Sequence, residues 1–224
     1  MSRSSTLSEA VLRSDLFADF ESWMIHGFGL RDAVKWPPVE TATLKQIHSG
    51  DVIAVRGPCA GELGEGDALI TATQGVTLSI RTADCVPLLF ADPVRRVVAA
   101  THAGWRGTAL RIATATVEKM VLEFGSEAKD IRVAIGPAIG PCCYEVSEDV
   151  AKQFSAHLPG WQAGKARLDL ASINRSQLLL AGLAPANIDA PVYCTRCDPR
   201  SRFHSFRRDG QASGRMHAVA GIRN

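Results

Sequence analysis

The sequence predicts a mixed-sheet α/β or α+β domain, and three observations carry that expectation. Between Asp51 and Ala100 the chain runs through short stretches rich in Val, Ile, Leu and Thr, separated by Gly, Pro and Asp, which is strand punctuation. After Gly107 the apolar spacing changes to three and four residues, the period of a helix. Helical and strand-like segments then alternate without the regular rhythm of βαβ units, which favours mixed sheets.

Taken in order, Leu7 to Phe20 reads as a helix, followed by the Gly-containing entry HGFGLRD. Pro37-Pro38 stops any helix and opens an extended stretch. The strand candidates are DVIAVRG, GDALIT, GVTLSIRT, VPLLFAD and RRVVAATHA. Leu110, Ala113, Val117, Val121 and Phe124 mark one buried face of a helix that begins near Thr108 and ends near Gly125. IRVAIGPAIG reads as a strand, and SEDVAKQFSAHL as a helix with Ser147 at its N-cap and acidic residues in its first turn. LDLASINRSQLLLAGL reads as a helix capped by Asp169 and ending near Gly182. DAPVYCT reads as a strand, and RFHSFRRDGQASGRMHAVAGI as a mixed basic and aromatic closing segment.

No internal repeat divides the 224 residues, so residues 1–224 are expected to form one domain. Apolar residues at 46% and charged residues at 21% exclude a disordered or fibrous chain. With 25 Lys and Arg against 23 Asp and Glu, net charge offers no general argument for nucleic acid or an anionic membrane. Anion recognition must come from a local cluster. Arg3, Glu9, Arg13, Asp15 and Asp19 leave no apolar core for a secretory signal, and stretches such as 86–91 fall short of the roughly 18 residues of a membrane span. The expected location is therefore cytoplasmic. There Cys59, Cys85, Cys142, Cys143, Cys194 and Cys197 would stay reduced, free for metal binding or catalysis.

Three side chains stand at the edges of strand candidates: His48 in LKQIHSGD, Cys85 in RTADCVP and His102 in ATHAGWRGT. One thiolate and two imidazoles can hold Zn²⁺ with a fourth position open, and the same donors also suit copper. Their spacing is irregular. Cys85 as a nucleophile with a histidine base, or a buried free Cys beside two hydrogen-bonded histidines, are the alternatives. HAGWRGT joins a strand to a helix, where free N–H groups and Arg106 would bind phosphate; otherwise Thr108 caps the helix and Arg106 faces solvent. Arg202, His204, Arg207, Arg208 and Arg215, interleaved with Phe203 and Phe206, could stack on a base and neutralise a phosphate, or form a solvated surface. Cys194 and Cys197 form a CxxC that could be redox-active or half of a zinc site; with no second pair nearby in sequence, a structural or incidental role is favoured. Cys142-Cys143 reads as turn architecture, and His26, His157 and His217 carry no assigned role. GxGxxG, Walker and GxSxG motifs are absent.

Six motifs run in order across nearly the whole chain: HGF at 26–28, QIH at 46–48, TADCVPLLFAD at 82–92, HAGWRGT at 102–108, IGPAIGPCCYEV at 135–146, and FHSFRRDG followed by GRM at 214–216. In these the chain resembles the YfiH/YlmD-like family, labelled laccase-domain or multicopper polyphenol oxidase proteins and, more recently, purine nucleoside phosphorylases. The segment from Gly29 to Gln46 is shorter than is usual in that family, and Ser213 precedes GRM where Thr is usual.

The resemblance implies a layered α/β/β/α sandwich and a zinc site at His48, Cys85 and His102. It also implies phosphorolysis of adenosine, inosine, guanosine or methylthioadenosine, together with adenosine deamination. Purine nucleoside and phosphate would then be the partners, with no nucleic acid and no membrane. For deamination, zinc would activate a water to attack C6 of adenine, with Asp84 the nearest carboxylate to carry a proton. For phosphorolysis, Arg106 with Arg207 or Arg208 would position phosphate. A Cys85/His amide hydrolase acting on peptidoglycan precursors competes with this reading. So does a copper-dependent polyphenol oxidase, although the chain lacks the HxH repeats of multicopper sites. A non-enzymatic protein using the metal as a fold staple is the third competitor.

Overall fold

A computed structural model describes residues 10–224. Two six-stranded sheets dominate it. The first runs in the spatial order β1 (Val11–Leu12), β2 (Met24–Gly29), β14 (Met216–Ile222), β7 (Thr77–Thr82), β3 (Ala42–Lys45) and β5 (Gly61–Glu65). The second runs β13 (Ile188–Asp189), β10 (Arg132–Ile135), β8 (Val86–Asp92), β9 (Val97–Ala103), β6 (Ala68–Thr71) and β4 (Val52–Val55). A short ribbon pairs β11 (Glu145–Val146) with β12 (Ala166–Arg167). Both large sheets are mixed, as the irregular alternation predicts. β14 lies antiparallel to β2 and β7 while β3 runs parallel to β5 and β7. β8 and β9 are antiparallel while β4 and β6 are parallel.

The two-residue period of the strands distributes one apolar sequence between two cores. Ala68, Ile70, Leu88, Phe90, Val97 and Ala99 face one side of the second sheet, against α2 (Ile112–Phe124) and α4 (Leu170–Leu180). Leu69, Leu89, Ala91, Val98 and Ala100 face the other, against Leu78, Ile80 and Ala218 of the first sheet. Helix, sheet and sheet are thus layered, and the near-continuous apolar runs of β8 and β9 reflect burial on both faces. No described helix is long and apolar enough to cross a membrane.

Several elements differ from the sequence expectation, each for a local reason. The Leu7–Phe20 helix does not form in its described part, and Leu7 to Glu9 lie outside the described residues. Val11 and Leu12 instead pair with Gly29 and Phe28, and a 3-10 turn, Asp15–Phe20, delivers Phe17 and Phe20 to the inter-sheet core. HGF is a strand, not an entry turn. The helix expected near Thr108 is two helices. α1 (Trp105–Ala109) is capped by Gly104, and Arg111, at φ 60°, breaks the chain before α2 starts. That break resets the register, so Ile112, Ala113, Thr116, Val117 and Met120 are buried while Leu110 and Val121 are exposed. Thr108 does not cap; it is buried inside α1 and accepts a hydrogen bond from Asn174 (3.0 Å).

Ser147 precedes α3 (Glu148–Lys152), and Asp169 caps α4 by accepting from the Ser172 N–H (3.0 Å). In DAPVYCT only the first residue belongs to a strand, since Pro191 cannot continue the ladder. Cys194 keeps one isolated bridge to Ala138. The closing segment holds α5 (Phe206–Asp209) and then β14, an internal strand of the first sheet.

Candidate active site

His48 lies in the loop after β3, Cys85 in the turn that enters β8, and His102 near the end of β9. The loop after β3 belongs to the first sheet and the other two positions to the second, and one carboxylate joins the His48 loop to His102. Asp67, at the head of β6 and fully buried, accepts from the backbone N–H groups of Ile47 (3.2 Å), His48 (3.1 Å) and Ser49 (2.6 Å) and from the Ser49 hydroxyl (3.0 Å). Its Oδ1 also lies 2.8 Å from His102 Nδ1. Gln46 ties the same loop to β7, exchanging two 2.8 Å hydrogen bonds with the Arg81 backbone. The loop therefore holds His48 in the left-handed region, at φ 61°, against β6 and β7.

The result is a convergence. Ligand atoms of His48, Cys85 and His102 all lie within 4.8 Å of one another, and the two imidazoles meet edge to face at 4.9 Å. Asp67 occupies His102 Nδ1, which leaves Nε2 for the shared centre, the carboxylate–histidine arrangement that orients a metal-binding imidazole. Gly104 keeps the space open. A Cβ there would fall 2.9 Å from His48 Cδ2 and 3.0 Å from Cys85 Sγ. A soft thiolate, two imidazoles and this cradle fit a three-ligand zinc centre with one open position.

Electrostatics couple the pair. Burial alone would push the Cys85 thiol up, but the charge and hydrogen bond of His102, with His48, outweigh it and bring the thiol down to about 6. Burial likewise opposes a charged His102, and the Cys85 thiolate and Asp67 together raise it to about 9. Without a metal these groups form a thiolate–imidazolium pair at neutral pH.

Beside the triad opens a cavity of about 760 Å³. Trp105, Ile139, Tyr144 and Phe206 give it apolar faces, and Arg81, Arg207 and Arg215 give it positive charge. Burial raises the Tyr144 phenol to about 12, so it stays a hydrogen-bond donor.

The other site residues expected from sequence are placed less simply. Asp84 lines the cavity, but both its oxygens are engaged: Oδ1 accepts from Thr195 (2.5 Å) and Oδ2 from the Arg207 N–H (2.6 Å). That makes it a positioning residue for the start of α5 and not a free proton carrier. Arg207 faces the cavity, donates to the Glu145 carbonyl (2.9 Å) and stands over the Tyr144 ring. The Arg208 guanidinium does not line the cavity; it is spread over Asp209 and the carbonyls of Thr195 and Phe203. Arg106 is exposed and stacks on the Trp105 ring at 4.4 Å, outside the cavity lining. Sequence reading missed Asp67 and Arg81. Nothing local marks them, because Asp67 meets its imidazole partner 35 residues away.

Gly104→Ala is expected to weaken metal binding and activity on the order of 10-fold or more, since sub-ångström displacement of reacting groups is costly. Gly104 has φ −71°, which alanine adopts freely, so the melting temperature should stay near that of the unaltered protein. Competitive chelator titration beside thermal unfolding checks both.

The family described as multi-copper polyphenol oxidoreductase laccase matches residues 29–223. A relative from Deinococcus radiodurans named purine nucleoside phosphorylase is 45% identical over 185 residues, covering 81% of this chain and 70% of that protein. A protein from an unknown prokaryotic organism, named adenosine deaminase RL5, is 43% identical over 157 residues, covering 66% of this chain and 59% of its own length. The crystal structure of YlmD from Geobacillus stearothermophilus superposes with a TM-score of 0.82 at 29% identity, covering 100% of this chain and 98% of that one. A match through all but the first residues, joined to this likeness in fold, means that the chain belongs to the YfiH/YlmD family of laccase-domain proteins.

Proposed function

We propose that the protein is a metal-dependent enzyme of purine nucleosides, cleaving them with phosphate and also deaminating adenosine. One observation carries the reading: His48, Cys85 and His102 converge at the wall of a cavity that joins aromatic faces to three arginines. A flat purine suits Trp105, Tyr144 and Phe206, and a phosphate dianion suits Arg81, Arg207 and Arg215. Relatives named purine nucleoside phosphorylase and adenosine deaminase support the same choice.

His48, Cys85 and His102 would hold zinc, with Asp67 fixing the His102 ring. Bound there, zinc would supply Lewis acidity at its open position, able to polarise an oxygen of water or substrate. The chain's own groups do the rest. The arginines place hydrogen phosphate against C1′; as its oxygen bonds to that carbon, the C1′–N bond breaks and the purine leaves with the proton that hydrogen phosphate gives up. The same cations balance charge as the bond breaks, inside a partly enclosed site where each is stronger than in water. Asp84 holds the N–H of Arg207 and so sets where that cation stands. Tyr144 donates a hydrogen bond to the bound nucleoside.

A Cys85/His102 amide hydrolase is the second reading, favoured by the lowered thiol facing a histidine. The copper oxidase reading is weaker. Among the described residues, only this triad and an all-cysteine cluster gather three or more donors, and the cluster contains no histidine.

The deciding experiment incubates zinc-loaded protein with adenosine, with and without phosphate. Adenine and ribose 1-phosphate, formed only when phosphate is present, are the expected products; inosine and ammonia report the deaminase arm. An absence of both, with amidase activity that survives chelation and vanishes in Cys85→Ala, would overturn the reading in favour of the hydrolase.

A further inference from the structure

Four cysteines that this reaction leaves unused meet at one point. Cys142 and Cys143 lie in the turn after β10, and Cys194 and Cys197 in the loop after β13. Their sulfurs all lie within 4.8 Å of one another, and those of Cys142 and Cys197 are 3.6 Å apart. The two segments are far apart in sequence and are joined by backbone. Cys194 bridges Ala138, and the Thr195 N–H donates to the Ala138 carbonyl (3.0 Å).

Around a tetrahedral zinc with bonds of ~2.3 Å, four sulfurs stand roughly 3.8 Å apart. The observed cluster needs only a small contraction to reach that arrangement. Its surroundings are those of a thiolate site. The Gly140 N–H donates to Cys194 Sγ (3.3 Å), the kind of backbone bond that steadies a metal-bound sulfur. Arg167 donates to the Cys142 carbonyl and brings positive charge close by. Cys142 and Cys197 are exposed, so an ion can reach the centre from solvent.

We propose that Cys142, Cys143, Cys194 and Cys197 form a second metal centre, a tetrathiolate site for a zinc-like divalent cation that staples the 138–143 turn to the 194–197 loop. On binding, four thiols release four protons to solvent and four sulfur–metal bonds form, with no change of oxidation state. The cluster then carries two net negative charges, one of which Arg167 offsets. The staple reaches the active site through two residues. Thr195, between the two cysteines of its loop, donates to Asp84, and Tyr144, next to Cys143, lines the cavity. The second centre thus shapes a cavity wall without supplying a donor to the first.

The test uses full-length protein purified under reducing conditions, with metal counted per chain and its ligands read by X-ray absorption. Cys85→Ala removes a donor from the first centre only. It should keep one equivalent of zinc surrounded by four sulfurs at ~2.3 Å. Cys194→Ser combined with Cys197→Ser should lose one equivalent and retain a centre of mixed nitrogen and sulfur ligands. If that double variant does not fold, the Cys85→Ala measurement still decides. Cys85→Ala protein without metal, or with nitrogen in its coordination sphere, would overturn the proposal. So would a Cys142–Cys197 disulfide that persists with zinc present in the reducing buffer. A four-sulfur zinc in both Cys85→Ala and unaltered protein, at one equivalent each, would instead uphold this centre and sink the one at His48, Cys85 and His102.

Discussion

Cys85→Ala should lower turnover of adenosine by about 1,000-fold, because Lewis-acid stabilisation is worth several kcal/mol and each 1.36 kcal/mol is about tenfold in rate. The same variant should lose the metal shared with His48 and His102, and without metal it should unfold at a lower denaturant concentration than the unaltered chain, because the His102 imidazolium loses its thiolate partner. Cys85 is small and half-buried, so its removal leaves little cavity. Metal-free protein offers a second readout. Alkylation follows the thiolate, so the Cys85 rate should be half-maximal near pH 6 instead of near 9. Above that midpoint the thiolate persists and the reaction is fast; below it the thiol is protonated and the rate falls tenfold per pH unit. His102→Ala removes the facing charge and should move the midpoint upward. A midpoint near 9 in the unaltered protein would show that Cys85 and His102 are not paired. Turnover of adenosine undiminished by chelation would show that catalysis does not pass through the metal at all.

The parts of this molecule that were legible in the sequence are those whose signal is local. VPLLFAD and VVAATHA are β8 and β9 because short branched runs bounded by Asp, Pro and Gly have few other places to go. Asp169 capped the helix that it was expected to cap. Elements decided by distant partners were not legible. Val11 and Leu12 follow a helical pattern, yet their pairing to β2 prevails. β14 ends a basic segment whose charges hide a strand that the first sheet needs at its interior. The site divides the same way. His48, Cys85 and His102 stand out by chemical type, whereas the sorting of the arginines depends on directions that only packing sets. Arg207 and Arg208 are neighbours, and one faces the cavity while the other braces its own loop. The four cysteines show the point most simply, since the second pair that CxxC lacked nearby lies about fifty residues upstream.

Asp67→Asn should be the most damaging single change outside the donor triad. Asp67 Oδ1 takes the His48 N–H and His102 Nδ1, and Oδ2 takes the Ser49 N–H and hydroxyl together with the Ile47 N–H. Every one of these partners donates. Burial would raise the carboxyl, but His102 and Ser49 hold it below the usual carboxylate range, so it is an anion at neutral pH. Asparagine matches the shape but must turn an NH₂ toward a group of donors, leaving buried N–H groups unpaired and an imidazole without its counter-charge. Breaking a buried pair of this kind costs about 3–5 kcal/mol, a large share of what holds a domain of this size together. The effect on metal is separable from the effect on folding. Loss of a carboxylate behind a metal-binding imidazole typically weakens affinity about 10- to 100-fold. Urea unfolding should therefore be measured on metal-free protein, where bound zinc cannot add stability by mass action. Chelator competition on the folded variant then reads affinity alone. Asp67→Asn protein that unfolds like the unaltered chain and binds zinc equally well would mean that the His48 loop and the His102 ring hold their places without it. The site would then not be preorganised through this carboxylate.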